Sequence, residues 1–362
     1  MDWLLEMVGP DGGIEASHCM KQRLSAAIGW FGCVLFAATW PLWFQPTAFP
    51  IIPLVGLPLS VPALLHVVVA GLAVVAFACL AFRSAYQPYA PIAILLIILV
   101  LLNQHRLQPW LIQIGVFATF AAILNTRDFV RFSRLLLVSI YLFSAVSKFD
   151  YQFTHTLGQQ FLATLTGFTG LDVGAWSERT RVLLALMFPF SEALIGLGLL
   201  FPNTRVIAAW AAIGIHCGLL LILGPLGLKH HLGVLVWNLF LIVQVWILFI
   251  GPCNNGANEV DPDDSELERE PALGWRYLAT AILLLPLLEP FSLYDHWPAW
   301  QLYAPRNSRV VMHVLEPVAE KLPDSLCDIG STSPWVRVRL ERMSFERAWV
   351  PVYPQDLSLI HI

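Results

Sequence analysis

The sequence predicts an all-α polytopic membrane protein, with about eight or nine transmembrane helices and a small C-terminal β-rich extramembrane segment. Three observations carry that expectation. Of 362 residues, 57% are hydrophobic and only 13% charged, about half the charged fraction of a soluble domain. Mean hydropathy is +0.67, more apolar surface than one water-soluble core of this size hides. The apolar residues also fall into runs near the ~20 needed to cross a bilayer, until a period-two pattern replaces them late in the chain.

Residues 1–25 are mixed and polar and read as a cytoplasmic N-terminal segment, with no cleavable signal peptide. The transmembrane domain is expected over 26–289, with candidate spans at 26–44, 61–82, 89–102, 110–124, 135–147, 182–201, 205–223, 232–250 and 273–289. The third, fourth and fifth runs are short, so one pair is expected to be tilted or re-entrant. Pro41, Pro189 and Pro286 fall in or near spans and should bend or break them.

Orientation follows from Lys and Arg near span ends. With the N-terminus inside, the inner loops hold Lys21, Arg23, Arg83, Arg127, Arg131, Arg134, Arg205 and Arg269. The outer loops hold Arg106, Lys148, Arg179, Arg181 and Lys229. The excess favours a cytoplasmic N-terminus, and an odd number of spans then places the C-terminal segment in the periplasm of a bacterial inner membrane. The acidic stretch 259–270 reads as a solvated inner loop.

From 290 to 356 the pattern changes. Val336, Val338 and Leu340 alternate with Arg337, Arg339 and Glu341, the period of a strand half-buried on one face. With VVMHVL at 310–315, this reads as a β-rich appendage packed on the outer face of the helices. Residues 357–362 (LSLIHI) match the translation of a sequencing-library adapter, so the natural chain is expected to run past Asp356.

A net charge of -4 without long basic runs argues against nucleic acid as a partner; membrane lipid is the expected one. Cys19, Cys33, Cys79, Cys217, Cys253 and Cys327 form no CxxC motif and read as small buried hydrophobes. No metal-ligand spacing, phosphate-binding glycine loop or nucleophile elbow stands out.

Ionisable groups near hydrocarbon are expensive and mark candidate sites. Glu192 lies mid-span and is a candidate proton-handling group; His66 and His216 also lie inside spans. Under the N-in orientation, four polar clusters reach the outer boundary. They are NQHRLQPW (103–110), SAVSKFDYQF (144–153), GPLGLKHHLGVLVWN (224–238) and YDHWPAWQLYAPR (294–306). His105 and His230 titrate near neutrality, and a desolvated Lys148 can act as a base. Arg106 suits an anionic head group or carboxylate. The bland alternative is that these groups cap helices, and that Trp110, Trp297, Trp300 and Tyr303 form an interfacial aromatic belt.

The segments NQHRLQPW, YLFSAVSKFDYQF with Gly158, FSEALIGLGLLFPNTR, HCGLLLILGPLGL with VWN, and YDHWPAWQLYAPR resemble bacterial membrane proteins grouped near DoxX and MauE. More distantly, Tyr141, Ser144 and Lys148 resemble the pattern in the HTTM domain of vitamin K-dependent γ-glutamyl carboxylase. The resemblance covers roughly residues 95–306. It implies that Lys148 corresponds to the lysine that deprotonates vitamin K hydroquinone, and it associates the fold with quinone-linked or thiol redox systems. The chain shows no propeptide-binding region, so peptide carboxylation is not expected.

The leading expectation is a polar site at the periplasmic face that binds a quinone-like lipophilic cofactor. Lys148, His105 and Glu192 are the candidate catalytic residues. Asn103, Gln104, Arg106, Gln108, Trp110, Tyr141, Asp150, Lys229, His230, Trp237, Asn238 and Arg306 are the candidate cofactor-binding residues. Two other readings stay open: a non-enzymatic accessory or anchor subunit for a periplasmic redox protein, and a transporter with Glu192, His66 and His216 along its path.

Overall fold

The structure, a computed structural model, describes residues 13–45, 49–54, 61–82, 87–251, 253, 272–302, 312–322, 326–327 and 334–353. Arg83, the acidic stretch 259–270, Tyr303, Arg306 and the tail 357–362 lie outside the described residues.

The chain is overwhelmingly helical. Helix α1 (Gly13–Ala38) is followed by the short α2 (Trp40–Phe44), which Pro41 opens, a first-turn position where proline loses no hydrogen bond. Next come α3 (Ala63–Ala81), α4 (Tyr89–Leu102), α5 (Pro109–Ile123) and α6 (Thr126–Lys148). Two short helices, α7 (Tyr151–His155) and α8 (Leu157–Gly167), lead to α9 (Glu178–Ala185) and α10 (Met187–Leu200). Helices α11 (Pro202–Leu223) and α12 (Leu232–Val245) follow, the latter running on through a π-helical turn at Trp246–Ile250. Then α13 (Leu273–Leu284) tightens into a 3-10 stretch, Leu285–Phe291, where Pro286 and Pro290 fall.

Among the described residues, five helices are long and apolar enough to cross a membrane. They are Ala63–Ala81, Thr126–Lys148, Glu178–Leu200 (α9 and α10 together), Pro202–Leu223 and Leu232–Ile250. Helices α4 and α5 are apolar but shorter. Leu64 and Val75 on α3 are 72% and 60% exposed, as side chains facing lipid rather than water would be. This is the pattern of a multi-pass, all-α membrane protein.

Helix α6 begins nine residues before the run expected at 135–147, because its polar first turns are satisfied from outside. Asn125 caps it by accepting from the Asp128 backbone N–H. Asp128, fully buried, pairs with Arg276 of α13 at 2.7 Å. The buried Arg134 guanidinium donates to the Leu248 carbonyl at 2.8 Å. Lys21 of α1 reaches Thr126 at this same end, and Ser25 bonds the Tyr89 hydroxyl. At 1.5 Å per residue, Lys148 lies about 33 Å away, at the opposite end of α6.

The cysteines are not all solitary. Cys19 and Cys253 form a disulfide, with Cα atoms 5.9 Å apart, at the Lys21–Thr126 end. Their separation of 234 residues hides the pairing from any spacing rule.

The C-terminal segment contains less strand than its alternation suggests. Strand β1 (Met312–Leu315) pairs antiparallel with β2 (Trp335–Val338), with short helices α14 (Glu316–Ala319) and α15 (Leu340–Arg347) beside them. Val336 and Val338 are buried and Arg337 is exposed, as the alternation predicts, but the strand stops before Leu340. The segment is docked on loops at the Lys148 end. His231 stacks on Phe345 with centroids 4.5 Å apart, and the Gln108 amide donates to the Pro351 carbonyl.

Candidate functional site

On α6, Tyr141, Ser144 and Lys148 recur at helical spacing and share one face. Helix α10 packs directly on that face, and Gly196 is what allows it so close. A Cβ at Gly196 would come within 2.8 Å of the Leu142 side chain and 3.3 Å of the Tyr141 Cβ. One turn earlier on α10, Glu192 is thereby carried to Lys148. The Lys148 Nζ donates to both Glu192 carboxylate oxygens, at 2.5 and 2.6 Å, and to Ser144 Oγ at 2.8 Å. Both side chains are about nine-tenths buried or more, so the pair satisfies itself where water does not.

This pair stands in the wall of a cavity of about 620 Å³, within the range of ordinary ligand sites. The rest of the wall is almost wholly apolar, formed by Phe153, Phe161, Leu162, Trp176, Phe188 and Ile215 among others. On α11 the lining residues Ala211, Gly214 and Gly218 leave room: a Cβ at either glycine would meet nothing within 4 Å. The exposed Leu165 and Met187 stand at its margin.

Beside the pair, a line of hydrogen bonds crosses three helices. The Tyr141 hydroxyl and His216 Nε2 are 2.8 Å apart, and His216 Nδ1 lies 2.9 Å from Asn238 Oδ1. Trp237 donates its indole N–H to Gln113, which in turn donates to Gln244. Lys148, Glu192, Tyr141, Trp237 and Asn238 are thus brought together, with His216 as the added member.

The 103–110 cluster lies elsewhere. None of Asn103, Gln104, His105, Arg106, Gln108 and Trp110 lines the cavity beside Lys148. Arg106, completely buried, donates to the carbonyls of Leu42, Trp43 and Leu99 and lies over the Trp43 ring. Asn103 accepts from the His105 backbone N–H, and Gln108 donates to the His105 carbonyl. These contacts tie helix ends together and aim the buried Arg106 guanidinium at backbone carbonyls. His105 is 1% exposed, packed edge-on against Phe49, and burial pushes its imidazole down to about 4. It is therefore neutral at physiological pH. Burial also lowers Arg106 to about 10, where it stays charged.

Lys229 is exposed, in a left-handed conformation at φ 55°, and His230 is half-buried, its imidazole lowered by burial. Neither lines the cavity. Asp150 caps α7 by accepting from the Gln152 N–H, which is a structural task. His66 is buried near Arg106 rather than beside His216, so the two intramembrane histidines mark no single path. Among the described residues, no group of three His, Cys, Asp or Glu side chains could hold a metal ion.

Sequence reasoning left His216 out of the site because a lone intramembrane histidine is usually a packing bond. The 157–177 wall was also overlooked. Its signal was the amphipathic spacing of Phe161, Leu162 and Leu165 in a segment between spans. In comparisons with known proteins, no family model matches the chain, and neither a curated protein nor a solved structure does.

Proposed function

We propose that this chain is a bacterial inner-membrane protein of the DoxX and HTTM kind, with its N-terminus cytoplasmic and nine crossings. It binds a lipophilic, quinone-like cofactor in the cavity beside Lys148 and Glu192 and transfers a proton to or from it. The observation that carries the reading is an apolar cavity of about 620 Å³ whose wall holds one buried ammonium–carboxylate pair. An apolar ring system with an oxygen at its edge fits such a wall, since the ring is desolvated by the phenylalanines while the oxygen finds a donor and an acceptor. The apolar margin at Leu165 and Met187 suits a ligand arriving from lipid.

A bound quinone or quinol supplies an oxygen that gains or loses a proton with its redox state. The chain supplies the rest. Lys148 Nζ and the Glu192 carboxylate lie 2.5 Å apart, close enough for a proton to pass between them. With the proton on Glu192, the Lys148 amine would be free to accept one from a ligand hydroxyl, and as an ammonium it would remain beside the ligand oxygen to balance its charge. Ser144 keeps the Lys148 Nζ aimed between the two.

The test is mass spectrometry of small molecules extracted from gently purified protein, comparing wild type with Lys148→Ala and Gly218→Leu. The leucine enters the cavity from a position where an added Cβ meets nothing within 4 Å. A quinone enriched over bulk lipid in wild type and lost in Gly218→Leu is the expected result. Phospholipid alone, unchanged by either substitution, overturns it. That outcome would favour an accessory subunit for a periplasmic redox protein, a reading motivated by exposed Leu315, Val318, Trp335 and Trp349 on the C-terminal segment.

A further inference from the structure

Lys148 and Glu192 also wall a second, much smaller chamber of about 50 Å³. Its wall is also largely apolar, with Ile215 and Leu219 shared with the large cavity, but it gathers more polar side chains. Tyr141, Ser144, His216 and Asn238 line it, Trp237 closes one side, and Trp300 stands over it from the strap that follows the last helix. One water needs roughly 10–15 Å³ by this kind of measure and two to four polar partners, so the chamber has room for water beside the Glu192, Ser144 and Tyr141 oxygens.

The protons on the hydrogen-bonded line can be assigned by elimination. Asn238 Nδ2 donates to the Val234 carbonyl at 2.9 Å, and a carbonyl only accepts, so Asn238 Oδ1 is the atom facing His216. An amide oxygen also only accepts, so His216 carries its proton on Nδ1. Nε2 is then the free lone pair of the ring, and the Tyr141 hydroxyl donates to it. Because Asn238 accepts from Nδ1–H in both protonation states, the ring is already oriented for an imidazolium.

We infer that the small chamber is a hydrated proton-exchange site and that His216 is its proton acceptor, reached through Tyr141. The inference rests on the proposed ligand site. After the Lys148–Glu192 pair takes a proton from a ligand hydroxyl, it releases one to chamber water. Tyr141 takes a proton from that water as it gives its own to His216 Nε2. One proton moves and the tyrosine is unchanged; the reverse sequence returns it. Tyr141 and Asn238 are positioning residues in this scheme. The ion pair thus separates a dry compartment, where the ligand sits, from a wet one, where its proton leaves.

The test uses 1-naphthol, an apolar bicyclic ring with a single ionisable hydroxyl, whose anion absorbs at longer wavelength. Detergent-purified full-length protein is loaded with the naphthol and jumped to alkaline pH in a stopped-flow cell, reading bound naphtholate against time. In wild type the bound naphthol ionises. In His216→Phe and Asn238→Leu its affinity stays within about twofold while ionisation slows by about a hundredfold or more, the low end of a proton-transfer contribution. Asn238→Asp, which keeps an acceptor opposite Nδ1–H, retains the fast phase. Equal rates in wild type, His216→Phe and Asn238→Leu overturn the relay and leave the ligand site standing. Absence of naphthol binding, or binding indifferent to Gly218→Leu, overturns both. A variant with altered thermal midpoint and affinity is replaced by Tyr141→Phe, which removes the hydroxyl and keeps the ring.

Discussion

The Lys148–Glu192 pair makes a prediction whose sign depends on how many of its members are removed. Its Nζ–O distances are 2.5 and 2.6 Å, and the side chains are 5% and 10% exposed. At about 3 Å between charges and an effective dielectric near 20, their attraction is about 5 kcal/mol. Desolvation of both partners offsets much of that, so the intact pair adds little net stability. Removing one partner is different, because the other is left buried and uncompensated. Lys148→Met or Glu192→Leu alone should each lower stability by about 3–5 kcal/mol. The double variant Lys148→Met/Glu192→Leu should recover most of that loss, giving a coupling energy of several kcal/mol. Reversible unfolding in mixed micelles, followed by tryptophan fluorescence, reads all four corners of the cycle. Additive losses in the double variant would refute the account, since they would mean that neither charge depends on the other. A fully stable double variant that no longer retains ligand would show that the pair is kept for chemistry rather than for the fold.

Three other outcomes are expected. Gly196→Ala puts a methyl group within 2.8 Å of Leu142 and should cost about 1–3 kcal/mol while weakening ligand retention; unchanged stability and binding would show that α6 and α10 are not in contact there. His105 titrates at about 4 when folded, below its ordinary 6.5, so the unfolded chain binds the extra proton between those values. Stability is therefore intact above pH ~6.5, falls as pH drops through the window, and is lower by about 3 kcal/mol once below ~4; His105→Gln should flatten this slope in a pH series of melts, and an unaltered slope contradicts the assignment. With the N-terminus cytoplasmic, the Cys19–Cys253 pair lies on the cytoplasmic side, where thiols are kept reduced. In intact cells carrying only these two cysteines, an impermeant reductant followed by an impermeant maleimide should leave both unlabelled, and labelling would invert the orientation and move the Lys148 site to the cytoplasmic face.

The helical architecture was legible because apolar runs in a bilayer leave few alternatives: a spanning segment must satisfy its own backbone. Where the reading failed, polar residues were buried by partners far away in sequence. TRDFVRFSR at 126–134 looks like a loop, yet its Asp128 is held by Arg276 and its Arg134 by Leu248. Hydropathy cannot register a charge neutralised by a side chain 148 residues later. The same holds for Cys19, whose partner is separated by most of the transmembrane domain. The period of two at 335–338 did produce a strand, because alternation reports one buried face whatever the rest of the chain does.

The candidate site was legible in its residues and illegible in its grouping. Lys148, Glu192, Tyr141 and Asn238 each stand out in apolar surroundings, but their meeting depends on which helices are neighbours, and Gly196 sets that without carrying any chemistry. Density of polar residues was a misleading guide. NQHRLQPW is a densely polar junction, and its strongest group, Arg106, donates to the carbonyls at the ends of α2 and α4. Helix termini leave such carbonyls without partners, and inside a membrane protein a buried arginine is one of the few groups able to serve three at once. The cavity has the opposite signature. It is marked by what α11 lacks, the side chains at Gly214 and Gly218, and by a charged pair whose lysine, in the last turn of α6, donates to the Glu192 carboxylate and the Ser144 hydroxyl. In a bilayer, where every backbone group at a helix end must find a partner, a polar cluster beside a helix end has a structural cause at hand. The Lys148–Glu192 pair, in which the last residue of α6 binds a carboxylate from within α10 beside empty space, is not accounted for by helix-end carbonyls alone, which is why it is better evidence of function than the richer cluster at 103–110.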